Sequence, residues 1–137
     1  MLLKEMMTTG VETMAPNASL SDAARRMKEK DIGLLAIAED DNVFGVLTDR
    51  DIVIRGLAED MDPTATDVTE VMSEQALSMS QSTPVEEAVN AMEAQQVRRI
   101  LVADEAHQLV GVISLGDLAT RGGQQMAGEV VQKVADA

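Results

Sequence analysis

The chain has 137 residues, 45% of them hydrophobic but only 1% aromatic, with a formal net charge of −13 and no cysteine. A chain of that length buries roughly two-thirds of its unfolded surface, enough for a core made of Val, Ile, Leu, Ala and Met. The acidity opposes condensation on nucleic acid or an anionic membrane, where Lys and Arg must displace counterions, and the missing cysteine excludes disulfides and thiol chemistry.

At the N-terminus, Met1-Leu2-Leu3-Lys4-Glu5-Met6-Met7 places a carboxylate where a signal peptide needs its apolar region, and no segment approaches the roughly 20 apolar residues of a membrane span. A cytoplasmic protein is expected. Ser19-Leu20-Ser21-Asp22 then reads as a capped helix start, with Leu20, Ala23, Ala24 and Met27 on one face. The apolar run Leu34 to Ala38 suits a buried strand, an acidic turn follows through Asp40-Asp41-Asn42, and Val43 to Thr48 forms a second strand in which Phe44 is expected to be buried. A helix follows, and Asp62 to Thr66 breaks the pattern as a linker.

The same order then recurs. Thr83-Pro84-Val85-Glu86 starts a helix with Thr83 as the cap and Pro84 in its first turn, and Val85, Ala88, Val89 and Met92 line its apolar face. Ile100 to Ala103 and Leu109 to Ser114 read as strands around the turn Asp104 to Gln108, and a final helix follows. Beyond Gly122-Gly123, Met126, Ala127, Val130, Val131 and Val134 keep helical spacing, as in an amphipathic tail helix.

The recurrence is also one of residues. Glu5, Met7, Met14, Ala23 and Met27 reappear as Glu70, Met72, Met79, Ala88 and Met92, and Gly45, Val46 and Asp51 as Gly111, Val112 and Asp117. The offset slips by one residue in the turn, where an insertion costs least. The chain therefore divides into residues 1–65 (first repeat with lead-in and linker), 66–122 (second repeat) and 123–137 (tail), together one module. A duplicated unit of this size builds a pseudo-symmetric pair, and a site at its interface comes as a related pair.

Each copy ends a strand with Gly-hydrophobic-x-Thr/Ser-x-x-Asp, giving Thr48 with Asp51 and Ser114 with Asp117. A hydroxyl three residues before a carboxylate at a helix start is a capping box. The same groups also suit a nucleoside phosphate, because a helix N-terminus favours anions and a carboxylate one turn in can accept from a ribose diol. Spacing alone leaves both readings open.

The duplication, the order of elements and the two motifs in register resemble a pair of cystathionine-β-synthase (CBS) domains, or Bateman module, over about residues 1 to 122. The segment Leu47 to Gly56 is similar to small stand-alone bacterial CBS-pair proteins of the hypoxic-response and signal-transduction type. The resemblance implies an α+β fold with α/β-type layers. Its two repeats, each lead-in, helix, strand, strand and helix, would pack sheet to sheet about a pseudo-twofold axis and leave two clefts for AMP, ADP, ATP or NAD. By the family's pattern, Glu12, Ile32, Gly33, Arg99, Ile113, Ser114 and Asp117 would form one cleft. Leu47, Thr48, Asp51, Leu77, Val97 and Arg98 would form the other, with Arg50 and Arg55 as further phosphate contacts. Arg98 and Arg99 have no basic counterparts beside Gly33, so the clefts need not be equal.

Enzyme chemistry and a metal site have little to stand on, since the single His107 lies in a turn without Cys or a second His. The ten methionines read as core filling rather than as a metal or peptide surface. The function expected is a nucleotide-responsive regulatory module that acts, as a homodimer, on a separate effector protein. The alternative is a ligand-independent assembly module whose motifs only cap helices.

Overall fold

A computed structural model describes residues 1–40, 42–74, 77–121 and 128. In chain order its elements are α1 (Leu3–Met6), β1 (Thr8–Thr9), β2 (Thr13–Met14), α2 (Leu20–Lys30), β3 (Leu34–Glu39), β4 (Asn42–Thr48), α3 (Asp49–Asp51), β5 (Leu77–Ser80), α4 (Val85–Gln95), β6 (Arg99–Ala103), β7 (Leu109–Ser114) and α5 (Leu115–Arg121). A π-turn at Ile52–Gly56 and a 3₁₀ turn at Leu57–Glu59 continue α3. The expected tail helix at Met126 to Val134 lies outside the described residues.

The chain forms two compact units, and these are not the two sequence repeats. One runs from Glu12 to Ala76, and the other joins Met1–Val11 to the chain from Leu77 onward. The first unit carries the sheet β2-β3-β4, with β2 parallel and β4 antiparallel to β3. The second carries β1-β7-β6-β5, with β5 parallel and β7 antiparallel to β6.

The difference from the repeats lies in the lead-ins. Thr8 and Thr9 of the first repeat pair with Val112 and Gly111 of the second. Ser73, in the second repeat's lead-in, bridges to Val46 of the first. Each sheet is thus completed on one edge by the other repeat's lead-in, and the motif glycine is what lets it approach. A Cβ on Gly111 would stand 2.6 Å from Met7 Sδ and 2.9 Å from the Thr8 carbonyl oxygen, and a Cβ on Gly45 would collide with the Ser73 carbonyl oxygen.

Helix α2 starts as its sequence dictates: Asp22 N–H donates to Ser19 Oγ at 3.0 Å, and Ser19 N–H donates back to Asp22 Oδ2 at 3.4 Å. Helix α4 corrects the expectation. Its cap position is Pro84, not Thr83, and no side chain caps it. The lead-in's main chain does that work, since Val85 N–H donates to the Met1 carbonyl while the Thr83 carbonyl accepts from Leu3 N–H. Both helices end on a left-handed residue, Asp31 at φ 53° and Gln96 at φ 54°, in matching positions.

Phe44 is a second correction, being 43% exposed rather than buried. The register jumps from Ile37–Gly45 to Ala38–Val43, which leaves Phe44 as the extra residue of a β-bulge. Val110 occupies the same place between the Val102–Gly111 and Ala103–Leu109 pairs. The Asp62–Thr66 linker is pinned rather than loose: the Thr66 and Pro63 carbonyls accept from Leu20 N–H and Ser21 N–H at the start of α2.

Each unit has its own core. Leu20, Ala23, Met27, Leu35, Ile37, Leu47, Ile52, Val68 and Val71 fill one. Leu3, Met6, Val85, Ala88, Val89, Met92, Ile100, Val102, Ile113 and Leu118 fill the other. Met27, Met6 and Met92 are buried there, and Met7, Met14, Met61, Met72 and Met79 pack against these cores, as the periodicity predicts.

Candidate functional site

The two strand-to-helix junctions hold the hydroxyls and carboxylates of the repeated motif. In the unit Glu12–Ala76, the end of β4 delivers Thr48 to the N-terminus of α3. Thr48 N–H donates to Asp51 Oδ2 at 3.0 Å, and Asp51 N–H donates to Thr48 Oγ1 at 3.1 Å. In the other unit β7 delivers Ser114 to α5, with Ser114 N–H to Asp117 Oδ2 and Asp117 N–H to Ser114 Oγ both at 3.0 Å. Both capping boxes are complete. A carboxylate has two oxygens and can accept more than one hydrogen bond.

A further bond holds each junction against the start of its sheet. Asp49 N–H donates to the Gly33 carbonyl at 3.1 Å, and Leu115 N–H donates to the Arg98 carbonyl at 2.9 Å. The entrance of the first strand and the N-terminus of the following helix are thereby adjacent in each unit. Arg99 and Ser114 are register partners, whereas the matching position opposite Thr48 is Leu34.

Asp49 was not singled out from the sequence. Its carboxylate lies beside Gly33, where an added Cβ would stand 3.1 Å from Oδ2, and it accepts from Arg50 N–H at 2.9 Å. The α5 junction has Leu115 in that place. The Thr48 junction therefore carries an extra anion at a position where the Ser114 junction has Leu115, whereas Ser114 has the cation Arg99 as its register partner. The signal available in sequence was the difference between Thr-Asp-Arg-Asp and Ser-Leu-Gly-Asp.

The candidate residues are distributed between the units. Arg99, Ile113, Ser114 and Asp117 share one with Leu77, Val97 and Arg98, while Glu12, Ile32, Gly33, Leu47, Thr48, Asp51, Arg50 and Arg55 belong to the other. Leu47 and Ile113 have fully buried side chains within their own cores, so only their main chain could meet a ligand. The Glu12 carboxylate is engaged by Arg26 at 3.4 Å and Lys30 at 3.9 Å, which ties β2 to α2. The Arg55 guanidinium donates to the carbonyls of Val71 and Met72, both at 3.4 Å. Gly33, Arg50, Arg98 and Arg99 are exposed.

Elsewhere, the Thr64 main chain and hydroxyl donate to Asp62 and hold its carboxyl below the usual carboxylate range. His107 is exposed in its turn at φ 62°. No helix among the described residues is long and apolar enough to cross a membrane.

Comparison with known proteins agrees with this architecture. Residues 3–57 and 68–122 each match the CBS domain family. Hypoxic response protein 1 of Mycobacterium tuberculosis is 39% identical over 117 residues, covering 85% of this chain and 81% of that protein. The CBS domain-containing protein YhcV of Bacillus subtilis is 39% identical over 127 residues, covering 93% and 87%. A crystal structure of hypoxic response protein I with two coordinated zinc ions superposes with a TM-score of 0.73 at 37% identity, covering 88% of this chain and 98% of that one. Those zinc ions belong to that protein; here, among the described residues, no group of three or more His, Cys, Asp or Glu side chains is placed so that it could hold a metal ion. The CBS domain protein PAE2072 of Pyrobaculum aerophilum, solved in complex with AMP, shares the fold with a TM-score of 0.79 at 20% identity, covering 96% and 99%. With both repeats matched and each carrying its Gly-to-Asp junction, the chain belongs to the CBS domain family.

Proposed function

We propose that the chain is a regulatory module that binds an adenine nucleotide (AMP, ADP, ATP or NAD) and acts, as a homodimer, on a separate effector protein. The observation that carries this reading is the pair of equivalent junctions, each a hydroxyl and a carboxylate at a helix N-terminus beside the entrance of the first strand. A nucleotide phosphate suits the hydroxyl and the helix end, and a ribose diol suits the carboxylate of Asp51 or Asp117. The AMP complex of PAE2072 supports the ligand class.

In this reading Ser114, Asp117 and Arg99 act with Glu12, Ile32 and Gly33, and Thr48 and Asp51 act with Leu77, Val97 and Arg98. Leu47 and Ile113 contribute main chain only. Glu12 contributes through its main chain while Arg26 and Lys30 hold its carboxylate. The Ser114 cleft is the stronger, because Arg99 adds positive charge there while Asp49 weakens phosphate binding at Thr48. Arg50 remains a phosphate contact for the Thr48 cleft; Arg55 serves it less well, having donated to Val71 and Met72. No catalytic step is assigned.

The complete capping boxes favour a second reading, a ligand-independent assembly module in which both motifs only end strands and start helices. Titration calorimetry separates the two. Saturable heat with at least one of the four nucleotides is expected, and none from any of them with folded protein overturns the nucleotide reading.

A further inference from the structure

Two methionines make the same contact, one in each unit. Met7 corresponds to Met72 in the sequence repeat, and Gly45 to Gly111. A Cβ on Gly111 would stand 2.6 Å from Met7 Sδ and 3.0 Å from Met7 Cγ, and one on Gly45 would stand 3.2 Å from Met72 Sδ. Each thioether therefore fills the space left by the missing side chain of a motif glycine. The residues that follow it complete the sheet: Thr8 and Thr9 pair with Val112 and Gly111, and Ser73 bridges to Val46. These attachments are short. β1 has two residues, and the Ser73 bridge consists of Ser73 N–H to the Val46 carbonyl at 2.9 Å and Val46 N–H to the Ser73 carbonyl at 3.0 Å.

Access separates these two from the core methionines. Met6, Met27 and Met92 are 2%, 7% and 3% exposed, whereas Met7 and Met72 are half-buried. With no cysteine in the chain, thioether is its only sulfur chemistry. We propose that Met7 and Met72 are a pair of reversible oxidation sites, whose conversion to the sulfoxide by hydrogen peroxide releases the lead-ins from the sheet edges. A lone pair on Sδ attacks one peroxide oxygen, the O–O bond breaks and an S–O bond forms. The departing hydroxide takes the proton of the transferred oxygen and leaves as water. Sulfur gives up two electrons and the peroxide accepts them. The product is polar and one heavy atom larger, in a gap that fits a thioether against main chain. Both changes oppose docking, since the new oxygen needs donors or water and the glycine main chain leaves it no room. Reductases for the two sulfoxide epimers restore the thioether. The inference does not depend on the nucleotide reading.

The test treats the full chain with hydrogen peroxide, removes the excess with catalase, locates sulfoxide by peptide mass spectrometry and follows urea unfolding by circular dichroism. Wild type, Met7→Leu/Met72→Leu and Met7→Gln/Met72→Gln are compared. In the wild type, Met7 and Met72 should oxidise with the 60% exposed Met1 and ahead of Met6, Met27 and Met92. The urea midpoint should then fall by roughly 1 M, hydrogen exchange should quicken at residues 7–9 and 72–73, and sulfoxide reductases should reverse both. Leucine keeps an apolar filling of similar volume, so that variant should lose at most about 0.2 M on the same treatment although its other accessible methionines react. The glutamine variant, polar without peroxide, should start with a lowered midpoint. Met7 and Met72 unmodified while Met1 is fully oxidised would overturn the proposal. So would a wild type oxidised at both positions with midpoint and exchange unchanged, a leucine variant that loses as much as the wild type, or a glutamine variant as stable as the wild type.

Discussion

Arg99 stands directly across the sheet from Ser114, each the other's register partner in β6 and β7. Register partners share a face, so the guanidinium belongs to the same side of the sheet as the hydroxyl that starts α5. The matching pair in the other unit is Leu34 and Thr48. If this junction binds phosphate, Arg99→Ala should lower nucleotide affinity about 10-fold, equivalent to roughly 1.4 kcal/mol. The loss should grow from AMP to ATP and vanish for adenosine. Equal losses for adenosine and ATP in calorimetry would assign Arg99 a structural role instead.

The motif glycines should tolerate no side chain. Gly111→Ala must displace Met7 Sδ and the Thr8 carbonyl, and Gly45→Ala must displace the Ser73 carbonyl. Each should cost about 1–3 kcal/mol in urea unfolding. Gly45→Ala should be the worse, because main chain yields less readily than a flexible thioether. A cost below about 0.5 kcal/mol for both would mean that the lead-ins are held less closely than described.

How the sequence carried this structure depends on the range of the interaction. Ser19 with Asp22 and the two Thr/Ser-x-x-Asp boxes are contacts within four residues, so their spacing alone specified them. The exchange of lead-ins was not legible, because nothing local tells Thr8 to pair with Val112 rather than Val46, which carries the same motif. That long-range choice also displaced the cap from Thr83, since the Met1 carbonyl took the helix's first donor. Phe44 was misplaced because an apolar residue in an apolar run reads as buried, and a bulge reverses its face without a residue that announces it. At the site, the hydroxyls and carboxylates were legible as motifs. The engagement of Glu12 by Arg26 and Lys30, and of Arg55 by two carbonyls, depended on side-chain directions that spacing does not encode.

The caps themselves make a separable prediction. Thr48→Ala and Ser114→Ala should each lower stability by about 1 kcal/mol, through the lost bond from the main-chain N–H of Asp51 or Asp117. Thr48→Ser should restore the stability lost in Thr48→Ala. Should the alanine variants lose stability with nucleotide affinity untouched, the capping-only reading gains and the phosphate role of these hydroxyls is lost.

Asp62 gives the chain one pH-sensitive turn. Its carboxyl is held below the usual range by the main-chain and side-chain donors of Thr64, so its folded pKa is lower than its unfolded one. The stability it contributes is present above the unfolded pKa and drains away as pH falls through the folded value, below about pH 4. Asp62→Asn should therefore flatten the acid side of the stability profile and leave the profile's shape near neutrality unchanged. Urea midpoints measured from pH 7 to pH 2 would show this, and identical acid slopes for wild type and variant would contradict it.

Calorimetry on two proteins tests whether the paired junctions bind an adenine nucleotide. The wild type and the Asp51→Ala/Asp117→Ala variant are each titrated with AMP, ADP, ATP and NAD, with circular dichroism as the check on folding. The wild type should give saturable heat with at least one nucleotide, and the variant should remain folded while its affinity falls at least about 10-fold. No heat from any nucleotide with the folded wild type, or an unchanged affinity in the folded variant, would contradict the account.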